Sequence, residues 1–183
     1  MRVVGIDPGS NITGYGIVEK NGSDLKTLKW GAIRTKRNQS FPEKLKKIYD
    51  DLCEIIKAYE PTEAVIENIF FAENARSALK LGQVRGATIL AAINSGLKTA
   101  EYTPLEIKQS LTGYGRADKQ QVQSMVTKLL CLKEIPKPLD ASDALAVAIC
   151  HLHSAAFKQK CSISPKRIQR SFAATQINST QRR

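Results

Sequence analysis

Four acidic residues stand in local settings that are typical of catalytic carboxylates. Asp7 and Glu67 each follow a short apolar stretch, so each ends a predicted buried strand. Asp140 and Asp143 lie three residues apart at the predicted start of the last helix, a spacing that puts both on one side of its first turn. Carboxylate oxygens are the ligands that Mg²⁺ and Mn²⁺ prefer. If the two strands are parallel neighbours, the four acids predict a two-metal site for in-line phosphoryl displacement.

Each acid also has a structural interpretation that the sequence leaves open. Asp7 precedes Pro-Gly and is typical of a turn. Asp140 has the residue type of a helix N-cap, and Asp143 could simply complement the helix dipole. Glu67 lies between AVI and NIFF and has no capping role. The hypothesis of a catalytic site therefore depends on the four acids as a set.

Other motifs predict no chemistry of their own. His151 and His153 are two residues apart and would project about 200° from each other on a helix, unlike the i, i+4 pair of a zinc helix. The two GYG triplets, at 14–16 and 113–115, are too short to be a nucleotide-binding motif. The four cysteines form no CxxC pair and predict buried free thiols in a reducing compartment.

The elements that must position the acids follow a mixed pattern. Three short strands joined by turn signals come first, and helices then alternate with strands. The predicted strands are Arg2–Asp7, Gly14–Glu19, Leu25–Arg34, Thr62–Glu67 and Lys98–Tyr102. The predicted helices run between Pro42 and Pro61, over Ala75–Asn94, from the Thr103 capping box, over Lys119–Leu132 and over Asp140–Phe157. This order predicts a mixed five-stranded α/β sheet with helices on both faces, compatible with a ribonuclease-H-like fold.

The size of the chain limits its organisation. It has 183 residues, 42% of them hydrophobic and 25% charged, which indicates one globular domain. The longest apolar run, residues 144–150, is far shorter than the roughly 20 residues of a membrane span. The N-terminus has no signal-peptide core. We therefore expect a cytoplasmic protein with a domain over residues 1–157 and a basic, disordered tail over 158–183.

The charge of the chain favours a polyanionic partner. Lys and Arg total 28 against 17 Asp and Glu, a net charge of +11, and seven of the basic residues lie in residues 158–183. Nucleic acid is the simplest such partner. An anionic membrane surface is the alternative, but no basic amphipathic helix of sufficient length supports it. Candidate phosphate contacts are Arg76, Lys80, Arg85, Lys108 and Lys119; for the first three, a solvated helix face is an equal alternative.

Several blocks of the sequence resemble one known family. GIDPGSNITGYGIVE, VIENIFFAENARSALKLGQVRGA, IKQSLTGYGRADKQQVQ and DASDALAVAICH are similar, in order and spacing, to the RuvC family of crossover junction endodeoxyribonucleases over about residues 1–155. The resemblance implies a ribonuclease-H-like fold, a homodimer and Mg²⁺-dependent cleavage of four-way Holliday junctions, giving 5′-phosphate and 3′-hydroxyl nicks. It also implies cooperation with the RuvA–RuvB branch-migration complex, and two Mg²⁺ per subunit with Mn²⁺ as a substitute.

The resemblance also assigns roles to individual residues. The family's metal-binding acids match the four acids above, and its basic residues near the scissile phosphate match Lys108 and Lys119. The aromatic residue that packs against junction bases matches Phe70, with Phe71 beside it as the alternative. Gly82 and Gly86, in the helix over Ala75–Asn94, predict close packing, either in the core or at a dimer surface.

Three other function classes stay open at this point. A sugar-kinase or actin-like ATPase also opens with a strand, an acid and a glycine turn, but 183 residues are too few for its two domains. A nuclease of the same fold that cuts structured RNA, and a junction-binding protein without activity, are separated from a resolvase only by experiment.

Overall fold

The structure is a computed structural model that describes residues 1–68 and 74–162, with side chains described through Ala155. The strands are β1 (Arg2–Asp7), β2 (Ile12–Asn21), β3 (Asp24–Arg34), β4 (Glu63–Glu67) and β5 (Lys98–Tyr102). The helices are α1 (Phe41–Tyr59), α2 (Ala75–Asn94), α3 (Pro104–Thr112), α4 (Lys119–Leu129) and α5 (Leu139–Ser162). No helix in the described ranges is long and apolar enough to cross a membrane.

The described residues divide into two units, residues 1–152 and the residues that follow Leu152. The first unit holds all five strands, helices α1–α4 and α5 as far as Leu152. In the second unit, the described residues form the C-terminal part of α5.

The five strands form one mixed sheet in the order β3-β2-β1-β4-β5. The pairs β1–β2 and β2–β3 are antiparallel, whereas β1–β4 and β4–β5 are parallel. This topology confirms the predicted ribonuclease-H-like α/β sheet, with three antiparallel strands followed by parallel strands. It also makes β1 and β4 parallel neighbours, which is the arrangement on which the hypothesis of a site depends.

Alternating residues of the central strands supply two hydrophobic cores, one on each face of the sheet. Val3, Val18 and Val65 face the core that contains α3, α4 and α5. Val4 and Ile66 belong to the core formed with α1 and α2. Because β1 is covered on both faces, the sheet positions the residue at its carboxyl end rigidly.

Most element boundaries agree with the predictions, and the exceptions have local causes. Helix α4 ends at Leu129 instead of Leu132, because Cys131 adopts a left-handed φ of 51°. Helix α5 begins at Leu139, so Asp140 lies inside its first turn and the interpretation of Asp140 as the N-cap is wrong. The same helix continues beyond Phe157 to Ser162. Most of the predicted tail, residues 163–183, lies outside the described residues.

Two packing expectations are wrong in part. A Cβ added at Gly82 or Gly86 would meet nothing within 4 Å, so neither glycine packs closely against another described element of the chain. The alternative of a dimer surface stays a prediction. The cysteines Cys53, Cys131 and Cys150 are free, as predicted, but Cys131 is exposed and Cys53 only half-buried.

Candidate active site

Asp7 and Glu67 lie side by side at one edge of the sheet. Ile6 pairs with Ile66 in the parallel register of β1 and β4, and the two acids are the next residue on each strand. Alternation puts both acids on the face that α5 covers, since Val65 and Gly5, two residues before them, face that helix. The predicted convergence of these two carboxylates is therefore present in the backbone.

Helix α5 brings the other two acids to the same edge by direct contact with the sheet. A Cβ at Gly14 would overlap the carbonyl oxygen of Asp140, and one at Gly5 would overlap the carbonyl oxygen of Ala144. Gly14 is the register partner of Asp7. The start of α5 thus lies against the strand residue next to Asp7, at a distance that only glycine permits.

Two lysines complete the site from the helices that follow β5. The ammonium of Lys119, the first residue of α4, forms an ion pair with Asp143 Oδ2 at 2.8 Å. Lys108 on α3 lines a cavity of about 230 Å³ together with Glu67, Lys119 and Asp143. The cavity is the space next to the carboxylates in which a phosphate group could be bound between negative and positive side chains.

The electrostatics of the site show a surplus of negative charge. Burial raises the pKa of Asp7 from 3.8 to about 8, and the charges of Glu67, Asp143 and Asp140 add to the increase while Lys119 opposes it. Burial, followed by Asp143, also raises the pKa of Glu67, although a hydrogen bond from Asp7 lowers it. A protonated Asp7 therefore donates to the Glu67 carboxylate, and the pair shares one proton.

Lys119 responds in the opposite way to the same charges. Its hydrogen bond with Asp143 raises its pKa, and the charges of Asp143, Asp7 and Asp140 add to that increase against the effect of burial. The ammonium is therefore kept positive in the neutral range, where it partly compensates for the carboxylates.

The four carboxylates supply the oxygen ligands that a divalent cation prefers. Their mutual repulsion contributes to the raised pKa values of Asp7 and Glu67, and a bound cation would neutralise this surplus of negative charge. Within residues 1–68 and 74–162, however, no three His, Cys, Asp or Glu side chains are arranged to hold a metal ion. The oxygens of Asp7 and Glu67 engage each other, and Asp143 engages Lys119. The assignment of a metal site to these acids thus stays a prediction.

The other predicted DNA contacts are distributed over α2 and the segment before it. Arg76 and Lys80 are exposed, and the Lys80 ammonium lies 5.8 Å above the Phe41 ring. Arg85 forms an ion pair with Glu101, so its charge is compensated within the chain. Phe70 and Phe71 lie outside the described residues.

Sequence reasoning missed the role of His151, which belongs to a buried polar network behind the site. Its Nε2 lies 2.9 Å from Glu63 Oε2, and its Nδ1 lies 3.1 Å from the Tyr102 hydroxyl. The Tyr102 carbonyl accepts a hydrogen bond from the amide of Asn68, the residue after Glu67. The network ties α5 to β4 and β5, and the HxH pair that drew attention in the sequence is one end of it.

Glycines are the other missed feature. Gly5, Gly14 and Gly16 let α5 approach the sheet closely. The sequence signal for this contact is the presence of small residues on both the sheet and the helix, including Ala141, Ala144 and Ala148 of α5. The GYG triplet at 14–16 is thus a packing motif and not a phosphate loop.

Comparisons with known proteins identify the family of this chain. The family model described as crossover junction endodeoxyribonuclease RuvC matches residues 3–151. A protein of that name from Pelobacter propionicus is 58% identical over 154 residues, which are 84% of this chain and 87% of the relative.

Solved structures give the same result. The RuvC structure from Thermus thermophilus aligns with a TM-score of 0.80 and 34% identity, covering 86% of this chain and 97% of the other. T. thermophilus RuvC in complex with a Holliday junction substrate aligns with a TM-score of 0.82 and 33% identity, covering 86% and 96%. The family match over residues 3–151, the sequence identity and the shared fold show that the chain belongs to the RuvC family of crossover junction endodeoxyribonucleases.

Proposed function

We propose that this chain is a structure-selective endonuclease that resolves four-way DNA junctions in recombination and repair, acting in the cytoplasm. The observation that carries the proposal is the convergence of Asp7 and Glu67 at one sheet edge with the acid-bearing start of α5. The reaction is hydrolysis of one phosphodiester per active site, leaving a 5′-phosphate and a 3′-hydroxyl. A T. thermophilus relative of similar fold binds a Holliday junction, which supports the choice of substrate.

The acidic and the basic residues of the site have different roles in this proposal. Asp7, Glu67, Asp140 and Asp143 would hold divalent cations, two Mg²⁺ per subunit with Mn²⁺ as a substitute, which supply a hydroxide nucleophile at neutral pH and charge neutralisation. The Lys119 ammonium, held by Asp143, stabilises the negative charge that the transition state gathers.

Lys108 and the aromatic residues bind and orient the DNA in this proposal. Lys108 faces the same cavity as Glu67 and Lys119 and would bind a phosphate beside the scissile one. Arg76 and Lys80 would add exposed contacts along α2, and Phe70, or Phe71 beside it, would pack against junction bases. Arg85 would have to break its ion pair with Glu101 before it could bind a phosphate.

Cleavage of a synthetic four-way junction beside a linear duplex, with Mg²⁺ and with chelator, tests the proposal. We expect paired, metal-dependent nicks in the junction only, and none with the Asp7→Asn variant, which should still bind. Tight binding without cleavage in Mg²⁺ or Mn²⁺ would instead indicate a junction-binding protein without activity. Preference for a folded RNA in competition with the junction would indicate an RNA-processing enzyme.

Symmetric cleavage needs two copies, and α2 offers a surface for the second one. Leu79 and Leu90 are 69% and 55% exposed, and the open positions Gly82 and Gly86 lie between them on the same helix face. A four-way junction presents two equivalent strands, so a two-fold homodimer would put one site on each. The proposal also includes contact with the RuvA–RuvB complex. It further divides the chain into a nuclease domain over residues 1–157 and a basic extension over residues 158–183.

The oligomeric state tests the α2 surface. Leu90→Glu should convert a dimer to a monomer in sedimentation at micromolar concentration. Leu105→Glu, at a residue 58% exposed on α3, is the matched control and should leave the dimer intact. A monomeric unmodified chain, or a Leu90→Glu variant that stays dimeric, would contradict the assignment.

A further inference from the structure

A positively charged turn lies on the β3–α1 connection, and the proposed mechanism does not use it. Lys36 and Arg37 are exposed, and neither forms an ion pair within the described part of the chain. Lys46 and Lys47, farther along α1, are by contrast paired with the acids one turn after them. The positive charge of the turn is therefore uncompensated.

Hydrogen bonds fix this turn against the β1–β2 connection, which begins directly after Asp7. The Thr35 amide donates to the Asn11 carbonyl at 3.1 Å, and the Thr35 hydroxyl donates to the Ser10 carbonyl at 2.9 Å. Lys44 of α1 donates from Nζ to Asn11 Oδ1 at 2.8 Å. The base of the turn is thus anchored, and its exposed charges have a defined position relative to the site.

Two further hydrogen bonds close the turn itself. The Lys36 amide donates to Gln39 Oε1 at 2.7 Å, and the Gln39 amide donates to the Lys36 carbonyl at 3.3 Å. Glu43 is the acid in this part of the chain, and its carboxylate accepts from the backbone and hydroxyl of Ser40. Among the residues that the structure describes, no acid pairs with Lys36 or Arg37.

The sheet register places the turn at the same edge of the sheet as the carboxylates. Asp7 pairs with Gly14, and Gly14 pairs with Ala32, so β3 lies two strand spacings, roughly 10 Å, from β1 at this edge. Lys36 and Arg37 lie four and five residues beyond Ala32, so the turn is farther from Asp7 than this spacing. Lys108 and Lys119 line the cavity that also contains Glu67 and Asp143. The turn thus adds positive charge at this sheet edge apart from those two lysines.

We propose that Lys36 and Arg37 form a second phosphate-binding site, which holds the sugar-phosphate backbone of a junction arm away from the scissile phosphate. The inference rests on the proposed function, since it needs DNA across the Asp7 edge of the sheet. Its ligand is the phosphodiester backbone of duplex DNA, bound through charge and without reading of bases.

A charge-matched pair of variants tests the site. Lys36→Gln/Arg37→Gln removes two charges at the turn, and Lys26→Gln/Lys29→Gln removes two exposed charges elsewhere on β3. Junction binding is measured in chelator over a series of salt concentrations. We expect the turn variant to bind about tenfold more weakly and its slope of log K against log salt to fall by about 1–2, since each lost phosphate contact accounts for roughly 0.9. The control should change either quantity far less.

Phosphate ethylation interference on the same junction gives an independent readout. The unmodified chain should show interference at the scissile phosphate and at a second, separate set of phosphates, and the turn variant should lose only that second set. Equal affinity and equal slope for the two variants would overturn the second site while leaving the proposed function intact. Failure of the unmodified chain to bind the junction would overturn both.

Discussion

The Lys119 ammonium lies 2.8 Å from Asp143 Oδ2, and this ion pair joins the starts of α4 and α5 across the candidate site. Asp143 also interacts electrostatically with Asp7 and Glu67. One lysine thereby balances a group of carboxylates that would otherwise repel one another. The same charge is available to an incoming phosphate whose own negative charge grows during cleavage.

Replacing Lys119 should reduce the chemical step more than binding. Lys119→Met is expected to slow single-turnover cleavage about 10²–10³-fold, the range for loss of one preorganised charge donor, with a much smaller change in junction affinity. Lys128→Met, at an exposed lysine of the same helix α4, is the control. Equal losses of rate in the two variants would argue against a role for Lys119 at the reacting phosphate.

Stability in chelator should decrease as pH rises, because the pKa of Asp7 is raised from 3.8 to about 8 in the folded protein. The folded state binds the proton more tightly than the unfolded chain, so its stabilising contribution is complete below pH 3.8 and is lost as pH approaches 8. Glu67 shifts in the same direction. Urea unfolding of Asp7→Asn should show a weaker decrease between pH 5 and 8. Identical pH profiles for the variant and the unmodified chain would contradict the raised pKa.

Mg²⁺ should reverse this dependence, because metal ligands must be deprotonated. We expect the gain in Tm on adding Mg²⁺ to be larger at pH 8 than at pH 5.5, and to disappear in Asp7→Asn. A gain that is independent of pH and of Asp7 would place the bound cation elsewhere.

A side chain at Gly14 should damage both stability and activity. Gly14→Ala would push against the carbonyl of Asp140, and overpacking of this kind typically costs about 1–3 kcal/mol. Gly82→Ala adds the same methyl group to a helix position with nothing within 4 Å and should be neutral or stabilising for the fold. Thermal unfolding of both variants distinguishes them, and an unchanged Tm for Gly14→Ala would mean that α5 can move away at no cost.

The His151 network should couple energetically with Glu63. His151→Leu leaves the Glu63 carboxylate without its 2.9 Å partner, and an unsatisfied half-buried acceptor costs about 1–3 kcal/mol. Replacing both residues with Leu should cost less than the sum of the single changes. A double-mutant cycle by urea unfolding measures this coupling, and additive losses would contradict it.

The positions of Asp7 and Glu67 were predictable because a sheet of this topology brings the ends of two apolar strands to one edge. The capping box at Thr103 was equally local, and Glu106 occupies it as expected. Both predictions depend on residues that are close together in the sequence. The first also needs the assumption that the two strands are neighbours in the sheet.

The approach of α5 was not predictable in the same way. Nothing in a single strand distinguishes Gly14 at a helix contact from Gly22, which supplies a φ of 62° to the β2–β3 turn. The partners of His151 come from positions 49 and 88 residues away, so helical periodicity carries no information about them. Pairing of distant residues is a tertiary property, and the local pattern of a single sequence does not reveal it.

The chain order of the four acids has a consequence for synthesis. Asp7 lies in the first strand and Asp143 in the last helix, so a ribosome-bound chain that has emerged only as far as α4 holds half of its carboxylates and no α5 to cover the glycines of β1 and β2. The contacts that complete the site are also those with the longest loop to close, which form late in folding. Cutting activity therefore cannot precede the synthesis of α5, and a chain released before that helix is made lacks half of its carboxylates.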